Sequence, residues 1–375
     1  MKLAARIERV ITNHWFAMQP NIIRRFINAL LSPLCRLTAR RSAHNRALIV
    51  KRKTSAKNSP RHPVIVVVGN LVAGGAGKTP ITIAISRFLI GQGKQTAVVC
   101  RGAGSARNQA ASVVNSKSTV AQVGDEALLL ARATGVPVAV SIERARAIEL
   151  LIHTYPDLEV IVSDDGLQHT GLMRHFELAV FDRRGAGNGK LLPAGPLREP
   201  LSHLPSMDAV VINLGLTGKE PGSNPPLTIS HPVMFTSTTR VTGVCPLSEW
   251  RHKTERPTAA TVATAIETTK AQAKDRIDQF RKLIADQPLA AVAGIASPQS
   301  FFDLLNSLEI THQPYPVADH GAIDDRLLST ISEPVILMTE KDAIKCVPDP
   351  RVHVLSIAAE PPASLLSWLC EKLDG

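Results

Sequence analysis

Aromatic side chains are scarce: Phe, Trp and Tyr make up 4% of the 375 residues. Proteins that hold single-stranded nucleic acid stack its bases on such rings, so this chain is a poor candidate for that partner. Cysteine is also sparse. Cys35, Cys100, Cys245, Cys346 and Cys370 are far apart, odd in number and form no C-x-x-C pair. That pattern suggests neither a zinc site nor a disulfide framework, and it suits a reducing cytoplasm. No apolar stretch reaches the roughly 18–20 residues that span a bilayer. Arg24, Arg25, Arg36, Pro20 and Pro33 interrupt each N-terminal candidate. No small-residue cleavage site follows a clean apolar segment, so a secretory signal is not expected. Low-complexity tracts and internal repeats are missing too.

The first 58 residues lack acid. They hold 13 Lys and Arg against one carboxylate, Glu8, whereas the whole chain carries +11, so the remainder is close to −1. The charge therefore belongs to an arm rather than to a surface-wide nucleic-acid footprint. Within that arm, Ile23, Phe26, Ile27, Leu30, Leu31 and Leu34 recur at helical spacing and make one apolar stripe. A basic amphipathic helix followed by Arg40, Arg41, Arg46, Lys51, Arg52 and Lys53 suits an anionic membrane surface. The competing reading is a helix packed on the protein's own core with a solvated basic tail.

Beyond the arm, apolar strands alternate with helical segments. Val64–Val68, Gln95–Cys100, Val136–Val140, Val160–Ser163, Leu178–Phe181 and Ala209–Asn213 read as strands. Pro80–Gly91, Asp125–Ala133 and Glu143–His153 read as helices between them. This alternation predicts an α/β fold: a parallel sheet flanked by helices, with ligands at the carboxyl ends of its strands. The Pro/Gly-rich stretch Leu216 to Pro232 is the best boundary. A smaller α/β unit follows, with strands at Ala290–Val292 and Val335–Met338. Its helices are Pro298–Leu308, Lys341–Lys345 and Leu365–Leu373, and Thr258 to Asp286 reads as an exposed helix. The expected domains are an arm at 1–58, a core at 59–220 and a second α/β domain at 221–375 that completes the active site.

The sharpest signal is Val64-Ile-Val-Val-Val-Gly-Asn-Leu-Val-Ala-Gly-Gly-Ala-Gly-Lys-Thr-Pro80. A strand, a glycine-rich loop, Lys-Thr and a helix, in that order, cradle the phosphates of a nucleoside triphosphate. Loop N–H groups and the helix N-terminus meet the phosphate oxygens, Lys78 reaches the β/γ-phosphates and Thr79 binds Mg²⁺. The cofactor-binding set is Gly69, Asn70, Gly74, Gly75, Ala76, Gly77, Lys78, Thr79 and Pro80. The loop is longer than the common form, because Val72 stands where a glycine is usual. Val160-Ile-Val-Ser-Asp164-Asp165 is an apolar strand ending in two acids, the pattern of a Mg²⁺-holding Walker B strand. Gly124-Asp125-Glu126 supplies a second acidic pair at a helix start, where Asp is also a common cap.

Asp164-Asp-Gly-Leu-Gln-His169, followed by Gly187-Asn-Gly-Lys-Leu-Leu-Pro-Ala-Gly-Pro-Leu-Arg-Glu-Pro200, closely resembles the tetraacyldisaccharide 4′-kinase family. Val123-Gly-Asp-Glu126, Asp319-His320 and Thr339-Glu-Lys-Asp-Ala343 belong to the same resemblance, which covers most of the chain. The family shares the unusual spacing of the phosphate loop. The resemblance implies transfer of the ATP γ-phosphate to the 4′-hydroxyl of an acylated glucosamine disaccharide 1-phosphate, at the cytoplasmic face of a Gram-negative inner membrane. It casts Asp125 as the base, paired with His320. Thr79, Glu126, Asp164 and Asp165 become metal-site residues, and Arg101, His169, Asn188 and Arg198 become candidate substrate contacts. The family's Arg-Gly-Tyr-Gly is here Arg101-Gly-Ala103-Gly104, its Asp-His-His is Asp319-His320-Gly321, and its Gly-Ile-Gly-Asn is Gly294-Ile-Ala296-Ser297. The alternatives are a P-loop kinase or ATPase with another acceptor, and a partitioning-type ATPase switch. The second normally carries a lysine where Ala73 stands, and it lacks the Leu191–Pro200 block.

Overall fold

The computed structural model describes residues 10–16, 22–57, 63–102, 110–215, 229–252, 270–319 and 321–374. The chain forms two compact units that interleave along the sequence rather than follow one another. The first comprises 1–82, 159–239 and 360–375; the second comprises 83–158 and 240–359.

The first unit is built on β1 (Val64–Gly69), β5 (Val160–Asp164), β6 (Phe176–Asp182), β7 (Ala209–Asn213) and the opening residues of β8 (Met234–Pro246). All neighbours run parallel, with β1 between β5 and β6, then β7 beyond β6 and β8 beyond β7. Ile65–Val68 and Val160–Val162 are almost wholly buried. Strands covered on both faces carry continuous β-branched runs, which is why these were readable in the sequence. The parallel register brings Gly69, Asp164 and Asp182 to one end of the sheet, beside the helix that begins at Lys78.

Against this sheet lies one helix, Ile22–Lys57, which passes through Pro33 without breaking. Proline removes one backbone hydrogen bond, and the carbonyl it orphans belongs to exposed Ala29, which water can serve. The expected apolar stripe divides. Ile27 and Leu31 face the fold and are half-buried. Ile23, Phe26, Leu30, Leu34 and Leu37 remain 52–71% exposed. The basic tail divides as well. Arg46 and Lys53, expected to meet an anionic surface, are buried beside Glu177 and Asp208. They belong to the protein's interior because two inward-facing carboxylates need cations.

The second unit holds two groups of strands. β2 (Thr96–Cys100) pairs in parallel with β4 (Val138–Val140), and β3 (Ser112–Val113) pairs with β4 antiparallel. Separately, β10 (Gln313–Pro316), β9 (Leu289–Ala293), β11 (Val335–Thr339) and β12 (Val352–Glu360) lie side by side in parallel, in that order. Their core includes Trp250, Val292, Ile336, Met338 and Val352. Helices Asp125–Thr134 and Glu340–Lys345 stand in the same unit. The helix expected over 258–286 is described only from Lys270–Leu283.

Candidate active site

The phosphate loop is held open by one side chain. Asn70 is fully buried, and its amide donates to the carbonyls of Val72 (2.6 Å) and Gly74 (3.3 Å). Its Oδ1 accepts from the Lys78 ammonium at 3.2 Å. Asn70 thus sets both the loop's shape and the place of its lysine. Gly77 has φ +77°, and a Cβ there would sit 2.0 Å from Asn213 Nδ2, so glycine is required twice over. Gly74 has φ +103°.

The acids at the end of β5 divide their work. Asp164 accepts from Thr79 Oγ1 (2.9 Å) and Thr82 Oγ1 (3.0 Å). Asp165 adopts φ +49° and lies 3.5 Å from Lys78 Nζ and 3.3 Å from Arg198 Nη1. Two cations therefore flank Asp165, while hydroxyls flank Asp164. The long Gly187–Pro200 block is tied to the phosphate loop by its backbone: Ala73 N donates to Pro196 O (2.7 Å) and Arg198 N to Leu71 O (2.6 Å). Gln168 bridges the two, donating to Asn70 O (3.1 Å) and Glu199 Oε1 (2.8 Å). Arg198 accordingly stands where an anion of nucleotide or acceptor can meet its fork of donors.

The Asp164–His169 loop has a buried clamp. Arg174 is 0% exposed and donates to Leu167 O (3.0 Å), to His169 O and to Glu177 Oε1 (2.9 Å). Glu177 in turn takes a fork from Arg46, at 2.8 and 2.5 Å. Burial alone would raise the Glu177 pKa; the Arg46 hydrogen bond and the charges of Arg46, Arg174 and Lys53 outweigh it and hold the carboxyl below its ordinary value. One ionic chain thus runs from the N-terminal helix to the loop that carries Asp164 and Asp165.

In the second unit, buried Asp125 opens the helix Asp125–Thr134, and its Oδ1 accepts from Glu126 N (2.9 Å). Lys345 Nζ lies 3.9 Å from Asp125 and 3.1 Å from Asp342. Lys341 Nζ lies 3.4 Å from Glu126 and 3.2 Å from Asp319. Burial lowers the Lys341 pKa, but Glu126, Asp125 and Asp319 together raise it above the ordinary value. The Thr339–Lys345 motif therefore supplies two lysines that gather Asp125, Glu126 and Asp319 into one cluster, a role the sequence did not disclose. His320 itself lies outside the described residues. A Cβ on Gly321 would approach Ala318 O to 2.8 Å, so this turn has no room for the second histidine seen in the family pattern.

The remaining expected residues are placed as follows. Asn188 is engaged within its own turn, donating to Ala194 O (2.9 Å) and accepting from Lys190 N (3.1 Å); both ends of the amide serve the fold. His169 is half-buried and Arg101 is exposed, in different units. Among the described residues no three His, Cys, Asp or Glu side chains gather as a metal cluster. Of the expected metal set, Thr79 and Asp164 touch each other, Asp165 is paired with cations and Glu126 with Lys341. Mg²⁺ keeps several waters and takes one or two protein donors plus phosphate oxygens. Thr79 with Asp164 satisfies that requirement.

A parallel sheet whose central strand opens into a lysine-capped phosphate loop, beside a second strand ending in acids, defines a P-loop phosphotransferase. Comparison with known proteins narrows this. The family profile for tetraacyldisaccharide-1-P 4′-kinase matches residues 27–374. The tetraacyldisaccharide 4′-kinase of Dechloromonas aromatica is 38% identical, with 92% of each chain covered. That of Neisseria gonorrhoeae is 35% identical over 99% of this chain and 97% of its own. The crystal structure of LpxK from Aquifex aeolicus in complex with ATP has the same fold. Its TM-score is 0.66 at 22% identity, over 92% of this chain and 99% of that one. The chain belongs to the tetraacyldisaccharide 4′-kinase family.

Proposed function

We propose that the protein transfers the γ-phosphate of ATP to the 4′-hydroxyl of a tetraacyldisaccharide 1-phosphate, in the building of lipid A. The observation that carries this reading is the union of the phosphate loop with the Leu191–Pro200 block, through Ala73–Pro196 and Leu71–Arg198 backbone bonds. Lys78 holds the β/γ-phosphates, with Asn70 fixing its reach. Thr79 and Asp164 would hold Mg²⁺, which when bound neutralises phosphate charge. Asp125 takes the proton of the attacking 4′-hydroxyl, and His320 orients it. The oxygen–phosphorus bond to ADP breaks as the new bond to the sugar oxygen forms. Such a transition state needs positioning and charge neutralisation more than covalent help. Glu126, held by Lys341, would serve as a further metal-site acid, and Arg198 meets a phosphate.

The acceptor is a lipid, and the arm suits its location. Among the described residues no helix is long and apolar enough to cross a membrane. The open stripe Ile23–Phe26–Leu30–Leu34–Leu37, flanked by exposed Arg25, Arg36 and Arg40, would lie in the headgroup layer of an anionic leaflet. It supports a protein that works on the cytoplasmic face of the inner membrane, with residues 1–58 as its arm. The test is transfer of labelled γ-phosphate to the glycolipid in detergent micelles, with Lys78→Ala alongside. Product from the native protein and none from the variant is expected. Turnover of ATP without a phosphorylated glycolipid would mean another acceptor. Binding to anionic but not zwitterionic vesicles, reduced by Phe26→Glu, tests the arm.

A further inference from the structure

Asp342 is wholly buried in the second unit, in the first turn of the helix Glu340–Lys345. Its Oδ2 accepts from Gly294 N (3.0 Å) and Thr339 Oγ1 (2.7 Å), and its Oδ1 pairs with Lys345 Nζ at 3.1 Å. Lys345 is nearly as buried, with 3% of its side chain exposed. An ammonium has three donors and no acceptor. Here it meets Asp342 Oδ1, Gly294 O at 3.2 Å and Asp125 Oδ2 at 3.9 Å. The first two distances are hydrogen-bond lengths and the third is longer. Asp342 and the Gly294 carbonyl therefore fix the ammonium, and its charge reaches Asp125 across a wider gap. Gly294 belongs to the same hub. A Cβ there would stand 2.9 Å from Asp342 Oδ1 and 3.2 Å from Ala318 O. Its bare Cα lets the chain after β9 pack against Asp342 and against the turn that leads to Asp319. That turn is also tied to β9 by Val317 N, which donates to Ala293 O at 2.8 Å.

We propose that Lys345 is a positioning residue for phosphoryl transfer: locked by Asp342 and Gly294, its ammonium sets the orientation of the Asp125 carboxylate. This deepens the proposed function and rests on it for the role of Asp125 as base. Asp125 is 1% exposed, and a buried carboxylate needs cations or donors around it. Its Oδ1 is held by Glu126 N at 2.9 Å. One such bond leaves the carboxylate free to turn about its last torsion, which is intrinsically broad in Asp. The Lys345 charge draws Oδ2 and removes that freedom. At 3.9 Å it attracts the oxygen without engaging its lone pairs, which a proton acceptor must keep for the hydroxyl. Lys341 does separate work, on Glu126 and Asp319.

The test measures transfer of labelled γ-phosphate by the full chain, with Lys345→Met, Asp125→Asn and the two combined. Lys345→Met should lower kcat about 100-fold, the loss expected when a reacting group is misplaced by about 1 Å. The KM for ATP and for the glycolipid should change less than about twofold, because no binding contact is removed. In the Asp125→Asn background the same change should cost under about twofold, since a residue acting through Asp125 then has nothing to orient. A merely structural lysine would cost the same factor in both backgrounds. Crystal structures of the native protein and Lys345→Met give a second readout: the Asp125 carboxylate should turn from its native orientation. Losing the ammonium strands two buried carboxylates, so Lys345→Met/Asp342→Asn, which removes one charge of each sign, is carried alongside. It should match Lys345→Met in kcat and in the turned carboxylate, and it bears the test if the single variant does not fold. An equal loss in both backgrounds, or an unmoved Asp125, overturns the proposal. If the native protein phosphorylates the glycolipid and the variants match its kcat, the positioning role falls and the kinase stands. If no glycolipid is phosphorylated but Asp125 still turns in the variant crystals, the kinase reading falls and the positioning role stands.

Discussion

Glu177→Gln tests the ionic chain that anchors the arm to the catalytic loop. The native carboxylate is 0% exposed and holds Arg46 through two bonds, Arg174 through one at 2.9 Å and Lys53 at 3.4 Å. Glutamine keeps the shape but removes the charge, leaving Arg46 and Arg174 without their paired carboxylate and Lys53 with Asp208 alone. Removing one partner of a buried pair costs about 3–5 kcal/mol, because the other charge stays buried and uncompensated. The variant should unfold at lower denaturant, with that loss at pH 7. The pH dependence has a defined sign. The folded carboxyl titrates below its ordinary value of 4.5. Its stabilisation is therefore fully present above that value and lost as pH falls through the lower folded value. The difference between native protein and variant should be constant at neutral pH and shrink on acidification below about 4.5. Denaturant titrations at several pH values measure this. A loss under about 1 kcal/mol, or a gap that widens in acid, would refute the reasoning.

Gly77→Ala should weaken ATP binding at least tenfold, since it adds left-handed strain and a clash with Asn213; equilibrium titration with a fluorescent ATP analogue reads this out. Lys341→Met removes the bridge between Glu126 and Asp319. It should lower kcat by about 10–100-fold while changing the ATP KM little, as expected when positioning is lost. Burial pushes the Cys346 thiol up to about 12, so it should stay protonated and resist iodoacetamide at pH 8. Half-buried Cys35 and Cys370 should be alkylated first, as peptide mass mapping would record.

The buried strands were legible because their residues are both apolar and β-branched. Ala209–Asn213 falls where the sequence places it, and β1 and β5 extend one residue beyond. Four strands were not legible; β3 is only the two residues Ser112–Val113, too short to show a pattern. β8 is rich in Thr and Ser, so it lacks a hydropathy signal. β10 contains two prolines, which only an edge position tolerates. β12 alternates with half-buried His353 and Ser356. The helix end at Lys57 was obscured by Pro33, which usually marks a boundary. The same contrast holds in the site. The phosphate loop and the Asp164-Asp165 pair are contiguous motifs, and the chemistry they imply can be read from spacing. The Lys341–Glu126 pair joins residues 215 apart and the Arg46–Glu177 pair residues 131 apart. Nothing local marks such partners, so an arginine counted toward a membrane surface proved to be a buried anchor.

The central claim is that phosphate moves from ATP to one particular hydroxyl of a glycolipid. It is tested most directly by incubating the protein with ATP, Mg²⁺ and tetraacyldisaccharide 1-phosphate, then recording a phosphorus–proton correlation spectrum of the recovered lipid. A second phosphomonoester coupled to H-4′ is expected, absent when Lys78→Ala is used. A lipid that keeps its single phosphorus signal while ADP accumulates, or a new phosphate coupled to any other proton, would contradict it.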